Sequence, residues 1–163
     1  MNGSGSATSN PNDGTAQAAS AMTTAATSAA ATSEAAKIAM FRRMAQAWHD
    51  QDWDTCASLF APDGVLHSVM LEPVVGRDTI HARISKLGAA NKKVTLNIHR
   101  IGVVGEVLFV ERTDEIVIDG RHGACPAVAV VEFRDGLIAK WSDYYDRATL
   151  ARAAGYSAEQ AAH

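Results

Sequence analysis

Three charged side chains sit in alternating stretches whose other members are almost all apolar. From Leu108 to Ile118, one parity reads Leu108, Val110, Arg112, Asp114, Ile116 and Ile118, and the other reads Phe109, Glu111, Thr113, Glu115 and Val117. A strand sends successive side chains to opposite faces, so Arg112 and Asp114 share an otherwise aliphatic face. Further on, Leu137, Ala139, Trp141, Asp143 and Tyr145 share one parity, against Lys140, Ser142 and Tyr144 on the other. Asp143 is the charged member of that face. Desolvating an ion costs several kcal/mol of order, which makes pairing a requirement. If the two strands are neighbours, the Arg112 guanidinium can bridge both carboxylates, because its planar fork offers five donors in fixed directions. A carboxylate in an apolar site holds its proton more tightly, whereas one held by more donors stays ionised. Two Asp residues placed so can divide acid and base work. The same spacing also fits a buried ion-pair network that does no more than close a barrel.

The surrounding elements must present these residues inward. Apolar residues at Ile38, Phe41, Met44, Ala45 and Trp48 predict a helix over Glu34 to Asp50, capped by Thr32 or Ser33. Asp52 caps a second, shorter helix burying Trp53, Cys56, Leu59 and Phe60, and Ala61-Pro62-Asp63-Gly64 is expected to end it as a turn. Val65 to Met70 reads as a strand. Pro73 and Gly76-Arg77-Asp78 then lead into a third helix through Ile80, Ile84 and Leu87. Four alternating stretches follow: Val94 to Val103, Val107 to Ile118, Ala124 to Phe133 and Leu137 to Tyr145. Asp119-Gly120 and Asp135-Gly136 suit tight hairpin turns, since both residue types tolerate positive φ. The expectation is an α+β domain of order α-α-β-α-β-β-β-β, a cone-shaped, curved antiparallel sheet wrapped around the N-terminal helices with one open mouth.

Composition narrows the partners. The chain has 163 residues, a formal charge of -3, 47% apolar residues and 20% charged ones, as expected of one globular domain. Without a long basic run it lacks the footprint of a nucleic-acid binder. Residues 1–33 are rich in Ala, Ser and Thr, with neither a signal-peptide pattern nor a membrane span. A disordered tail is expected there, with a helix over Ala25 to Ala31 as an alternative, then a domain over 34–155 and a short tail over 156–163. Cys56 and Cys125 are far apart and read as buried reduced thiols, pointing to a cytoplasmic protein. None of the six His residues has metal-ligand spacing, so no metal and no cofactor is expected. His81, His99 and His122 read as exposed or partly exposed.

A second tier of candidates concerns the pocket walls. Met70 and Leu71 precede the Pro73 loop, at the expected rim of the cavity, where an apolar substrate needs cover from water. Trp48 and Tyr145 are further lining candidates, with ordinary core as the alternative for Trp48. A hydrophobic small molecule is the implied substrate.

The stretches Val110-Glu111-Arg112-Thr113-Asp114, Phe133-Arg134-Asp135-Gly136-Leu137-Ile138 and Trp141-Ser142-Asp143-Tyr144-Tyr145-Asp146, with Gly76-Arg77-Asp78 upstream, resemble the limonene-1,2-epoxide hydrolase family. That family is a branch of the ketosteroid-isomerase and nuclear-transport-factor-like superfamily, and the resemblance covers about residues 36 to 150. It implies that Asp143 is the general base that deprotonates water, Asp114 the acid that protonates the epoxide oxygen, and Arg112 the bridge orienting both. It further implies one-step ring opening and a homodimer packed through the outer sheet face. The family also holds its water with a Tyr and an Asn two apart on the first strand. Aligned back from Gly76 without a gap, these positions are Leu66 and Ser68 here. Leu66 cannot bond a water and becomes pocket lining, Ser68 offers one hydroxyl, and a one-residue bulge would turn His67 inward as a replacement.

Three functions from different classes follow. The first is a cofactor-independent hydrolase adding water to an epoxide of a hydrophobic compound. The second is a lyase or isomerase with the same acid/base pair, in which Asp143 or His67 removes a proton and no water is held. The third is a non-catalytic small-molecule-binding or dimerisation module, since a fold does not set a function.

Overall fold

The computed structural model describes Met1 and residues 32–88 and 92–155. The expectations for the Ala/Ser/Thr-rich tail, its Ala25 to Ala31 helix and the tail after residue 155 lie outside the described residues. The chain forms α1 (Glu34–Asp50), α2 (Trp53–Ser58), β1 (Phe60–Ser68), β2 (Val74–Val75), α3 (Arg77–Ile84), a 3-10 turn (Ser85–Gly88), β3 (Lys92–Val104), β4 (Val107–Ile118), β5 (Arg121–Arg134), β6 (Leu137–Tyr145) and α4 (Arg147–Ala153). The α+β order of the sequence reading is present. The added elements are β2, too short for a periodicity, and α4.

Local chemistry accounts for the boundaries. Ser33 accepts a hydrogen bond from the Ala36 N–H and starts α1, and Asp52 does the same for α2 through Thr55. Gln51 ends α1 in the left-handed region at φ 57°. Asp119-Gly120 and Asp135-Gly136 all have positive φ, the geometry of type I′ hairpins, and they pair β4 with β5 and β5 with β6.

The strands form one sheet in the order β2-β1-β6-β5-β4-β3. All neighbours are antiparallel except β1 and β6, which run parallel. This pairing explains why β1 begins at Phe60 rather than at Val65. Phe60 lies opposite Ile138, and the segment expected to be a turn is a bulge within the strand, between Phe60 and Val65. Gly64 sits where a Cβ would come 2.9 Å from the Ala61 carbonyl oxygen and 3.1 Å from that of Ile138, so a larger residue would clash with backbone.

A second bulge corrects the expected face of β6. Glu132 pairs with Lys140 and Phe133 with Ile138, which leaves Ala139 unpaired. The extra residue reverses the alternation. Ile138 therefore joins the core at 0% exposure, while Leu137 and Ala139, expected inward, are only half-buried. From Trp141 onward the expected parity holds.

The concave face of the sheet packs on the helices. Phe41, Met44 and Trp48 of α1 meet Leu108, Val110, Ala129, Val131, Ile138 and Trp141 of the sheet, together with Cys56, Leu59 and Phe60. Each such large side chain contributes roughly 1.5–3 kcal/mol through burial. Lys37 is also buried, and its ammonium donates to the Glu106 carbonyl at 3.0 Å and to the Glu106 carboxylate at 2.6 Å. Among the described residues, no helix is long and apolar enough to cross a membrane.

Candidate active site

Arg112 and Asp114, two apart on β4, point to the concave face, and β6 brings Asp143 to them. These two strands are not neighbours, as the sequence reading required. β5 runs between them, with Ala127 opposite Arg112 and Ala129 opposite Asp143. Two strand spacings amount to about 10 Å. The Arg112 side chain crosses that distance because, at Ala127 and Ala129, the intervening strand presents only methyl groups.

The resulting geometry is tight. Arg112 Nε donates to Asp114 Oδ1 at 2.7 Å and Nη2 donates to Asp114 Oδ2 at 3.1 Å, a two-point contact. Nη1 donates to Asp143 Oδ1 at 2.9 Å. The guanidinium lies over the Trp141 ring, 5.5 Å from its centroid. Its side chain is 2% exposed, against 16% for Asp114 and 14% for Asp143. The cation is thus sealed beneath two acids that keep a small opening to solvent.

Charge counting says how protons distribute. One guanidinium facing two carboxylates leaves one surplus negative charge in a poorly solvated place, and protonating one acid removes it. Burial pushes the Asp114 carboxyl above its ordinary range and the Asp143 charge adds to that, while Arg112 offsets part of it. Burial works against the Arg112 charge, but the two carboxylates outweigh it and hold the guanidinium protonated. Burial thus raises the proton affinity of Asp114 beside a permanent cation.

β1 completes the wall. Its parallel register sets Leu66 against Trp141, His67 against Ser142 and Ser68 against Asp143. Paired residues share a face, so Leu66 and Ser68 look inward with the acids. His67 looks outward, and its Nε2 lies 3.0 Å from the Leu71 carbonyl oxygen. The bulge of β1 falls before Val65, so no slip turns His67 into the cavity as the sequence reading allowed.

Met70 and Leu71 follow β1, each 39% exposed. Tyr145 is half-buried at the end of β6, opposite Ala127. Trp48 stands edge-on to Trp53, 5.3 Å between ring centroids, within the apolar cluster. Both thiols are buried, and burial pushes that of Cys56 up to about 12. Cys125 lies directly opposite Asp114 on the concave face.

Sequence reasoning also passed over Trp141, which donates its indole N–H to Asp143 Oδ1 at 2.6 Å. The signal available was its spacing of two residues from Asp143 on one strand. Among the described residues, no three His, Cys, Asp or Glu side chains are grouped so as to hold a metal ion.

Comparison with known proteins fits this architecture. A model of the SnoaL-like domain matches residues 41–141. The chain belongs to the SnoaL-like domain family. It is 30% identical over 101 residues to epoxide hydrolase EphG of Mycobacterium tuberculosis (strain ATCC 25618 / H37Rv), a stretch that covers 61% of this chain and 66% of that protein. An LEH-like epoxide hydrolase structure from M. tuberculosis superposes with a TM-score of 0.67 at 24% identity, covering 74% of this chain and 90% of the other. A protein of ketosteroid isomerase-like fold from Catenulispora acidiphila DSM 44928 gives 0.67 at 22% identity, covering 74% and 95%. A putative polyketide cyclase from Xanthomonas campestris pv. campestris gives 0.63 at 17%, covering 69% and 92%. These structures share the ketosteroid-isomerase-like α+β fold described above.

Proposed function

We propose that this SnoaL-like chain is a cofactor-independent epoxide hydrolase acting on a hydrophobic small molecule. The observation that carries the reading is the Asp114–Arg112–Asp143 bridge on the concave face, with a buried cation and two slightly open acids. The likeness to EphG, named an epoxide hydrolase, supports it.

In this mechanism Asp143 accepts a proton from water as the water oxygen bonds to one epoxide carbon. The carbon–oxygen bond on that carbon breaks, its electron pair passes to the epoxide oxygen, and Asp114 supplies the proton that makes it a hydroxyl. The product is a diol. Asp143 ends protonated and Asp114 ionised, and one proton passing between them through solvent restores the starting state. Positioned acid and base groups each contribute about 10²- to 10⁴-fold. Ser68, opposite Asp143 on β1, holds the water with its hydroxyl. Leu66, Met70, Leu71 and Tyr145 give the substrate an apolar wall.

The test is diol formation from limonene oxide and styrene oxide by the wild type and by Asp143→Asn. Turnover by the wild type and its loss by at least about 10²-fold in the variant are expected. Retained activity in Asp143→Asn removes Asp143 from the base role. One observation favours a second reading, a lyase or isomerase: Leu66 occupies the inward position beside Trp141 and cannot hold a water. Persistence of both epoxides, with deuterium exchange into a bound ketone, would select it.

The outer sheet face exposes Phe109, Val128 and Tyr144, and we propose that a second copy covers it in a homodimer.

A further inference from the structure

We infer that Trp141 is a positioning residue that selects which oxygen of Asp143 does the chemistry. The inference rests on the hydrolase reading above, in which Asp143 is the base. Both donors that reach Asp143 arrive at one atom. Arg112 Nη1 and Trp141 Nε1 lie 2.9 Å and 2.6 Å from Oδ1, and among the described residues Oδ2 receives no side-chain donor. An oxygen that already accepts two strong hydrogen bonds is a poor proton acceptor, because both bonds favour its negative charge where it is. Oδ2 is left to take the proton from water.

The indole can fix this orientation because it is itself immobile. Trp141 is 2% exposed. Its ring stacks on Phe60, with centroids 6.2 Å apart and planes 7° from parallel, and meets Phe41 at 5.1 Å and 59°. Arg112 covers it at 5.5 Å. The core thus sets the ring plane, the ring plane sets the N–H direction, and the N–H sets the rotation of the carboxylate. Asp143 and Trp141, two apart on β6, stand side by side on the concave face, so the contact needs no change of backbone. A buried indole N–H needs an acceptor in any case, and a purely structural contact predicts no effect on proton transfer.

The experiment compares wild type with Trp141→Phe and with a protein carrying 3-benzothienylalanine at position 141, which keeps the bicyclic volume and lacks the N–H. Styrene oxide is the probe. Loss of the donor is expected to lower kcat about tenfold with KM changed less than about twofold, and to move the acidic limb of kcat/KM up by about one pH unit. Should Trp141→Phe fail to fold, the benzothienyl protein carries the measurement. The Trp141 indole N–H cross-peak of the wild type is followed in parallel, and Asp143→Asn is expected to shift it upfield.

An unchanged kcat and an unchanged limb, in a protein whose Asp143→Asn variant is inactive, overturn the positioning role and leave the hydrolase reading intact. An indole cross-peak indifferent to Asp143→Asn overturns it without any reference to activity. Absence of diol from the wild type removes both the reading and this inference.

Discussion

Replacing Arg112 by Met tests the electrostatic core of the site, since it removes the cation while keeping a long apolar stem over Trp141. The wild-type guanidinium makes three charge-assisted hydrogen bonds to two acids and is 2% exposed. Breaking a buried pair by removing one partner costs about 3–5 kcal/mol, because the remaining charge is left uncompensated. At pH 7.5 the variant is therefore expected to unfold about 10–20 °C below wild type, at roughly 4 °C per kcal/mol for a domain of this size.

The deficit must also depend on pH. Without the cation, nothing offsets burial at Asp114, so its carboxyl binds a proton more tightly in the folded state than in the unfolded one, where it ionises near 3.8. Stability then rises as pH falls, because the folded state binds the extra proton. Thermal unfolding followed by tryptophan fluorescence at pH 7.5 and pH 4.5 reads both effects. A variant with the wild-type midpoint at both values, or with the same deficit at both, would refute the bridge as an energetic unit.

Other expectations follow from neighbouring features. The folded-state pKa of Asp114 is raised, so its ionisation weakens the native state as pH climbs from 3.8 through that higher value. Asp114→Asn should flatten this part of the stability–pH curve, which denaturation between pH 4 and pH 8 will measure. Gly123 faces α4, and a Cβ there would lie 2.4 Å from Ala153 Cα. Gly123→Val should then cost about 1–3 kcal/mol by displacing α4, whereas an unchanged urea midpoint would count against that packing. If a second copy covers the outer sheet face, Phe109→Glu combined with Tyr144→Glu should halve the mass seen by analytical ultracentrifugation. A wild type already monomeric would remove the dimer.

Much of this was legible in local pattern. The parity of β4 put Arg112 and Asp114 on one apolar face, because alternation is a property of an extended chain and needs no partner. Asp119-Gly120 and Asp135-Gly136 marked the hairpins through backbone conformations few other residues accept, and Thr32 or Ser33, together with Asp52, marked helix starts through hydroxyl and carboxylate oxygens. The charged character of the site was equally visible, since ions on an aliphatic face require one another.

What pairs with what was decided only by the fold. β5 stands between the strands of the bridge, and Ala127 and Ala129 let Arg112 cross it, a fact about register that no single strand contains. The Ala139 bulge in the β5–β6 pairing turned Ile138 inward, where it lies opposite Phe60 of β1. The parallel pairing of β1 with β6 sent His67 outward and set Ser68 opposite Asp143. A sequence states which side chains seek burial or a counter-charge; which atoms meet depends on strand order and bulges, settled by packing the whole sheet against its helices.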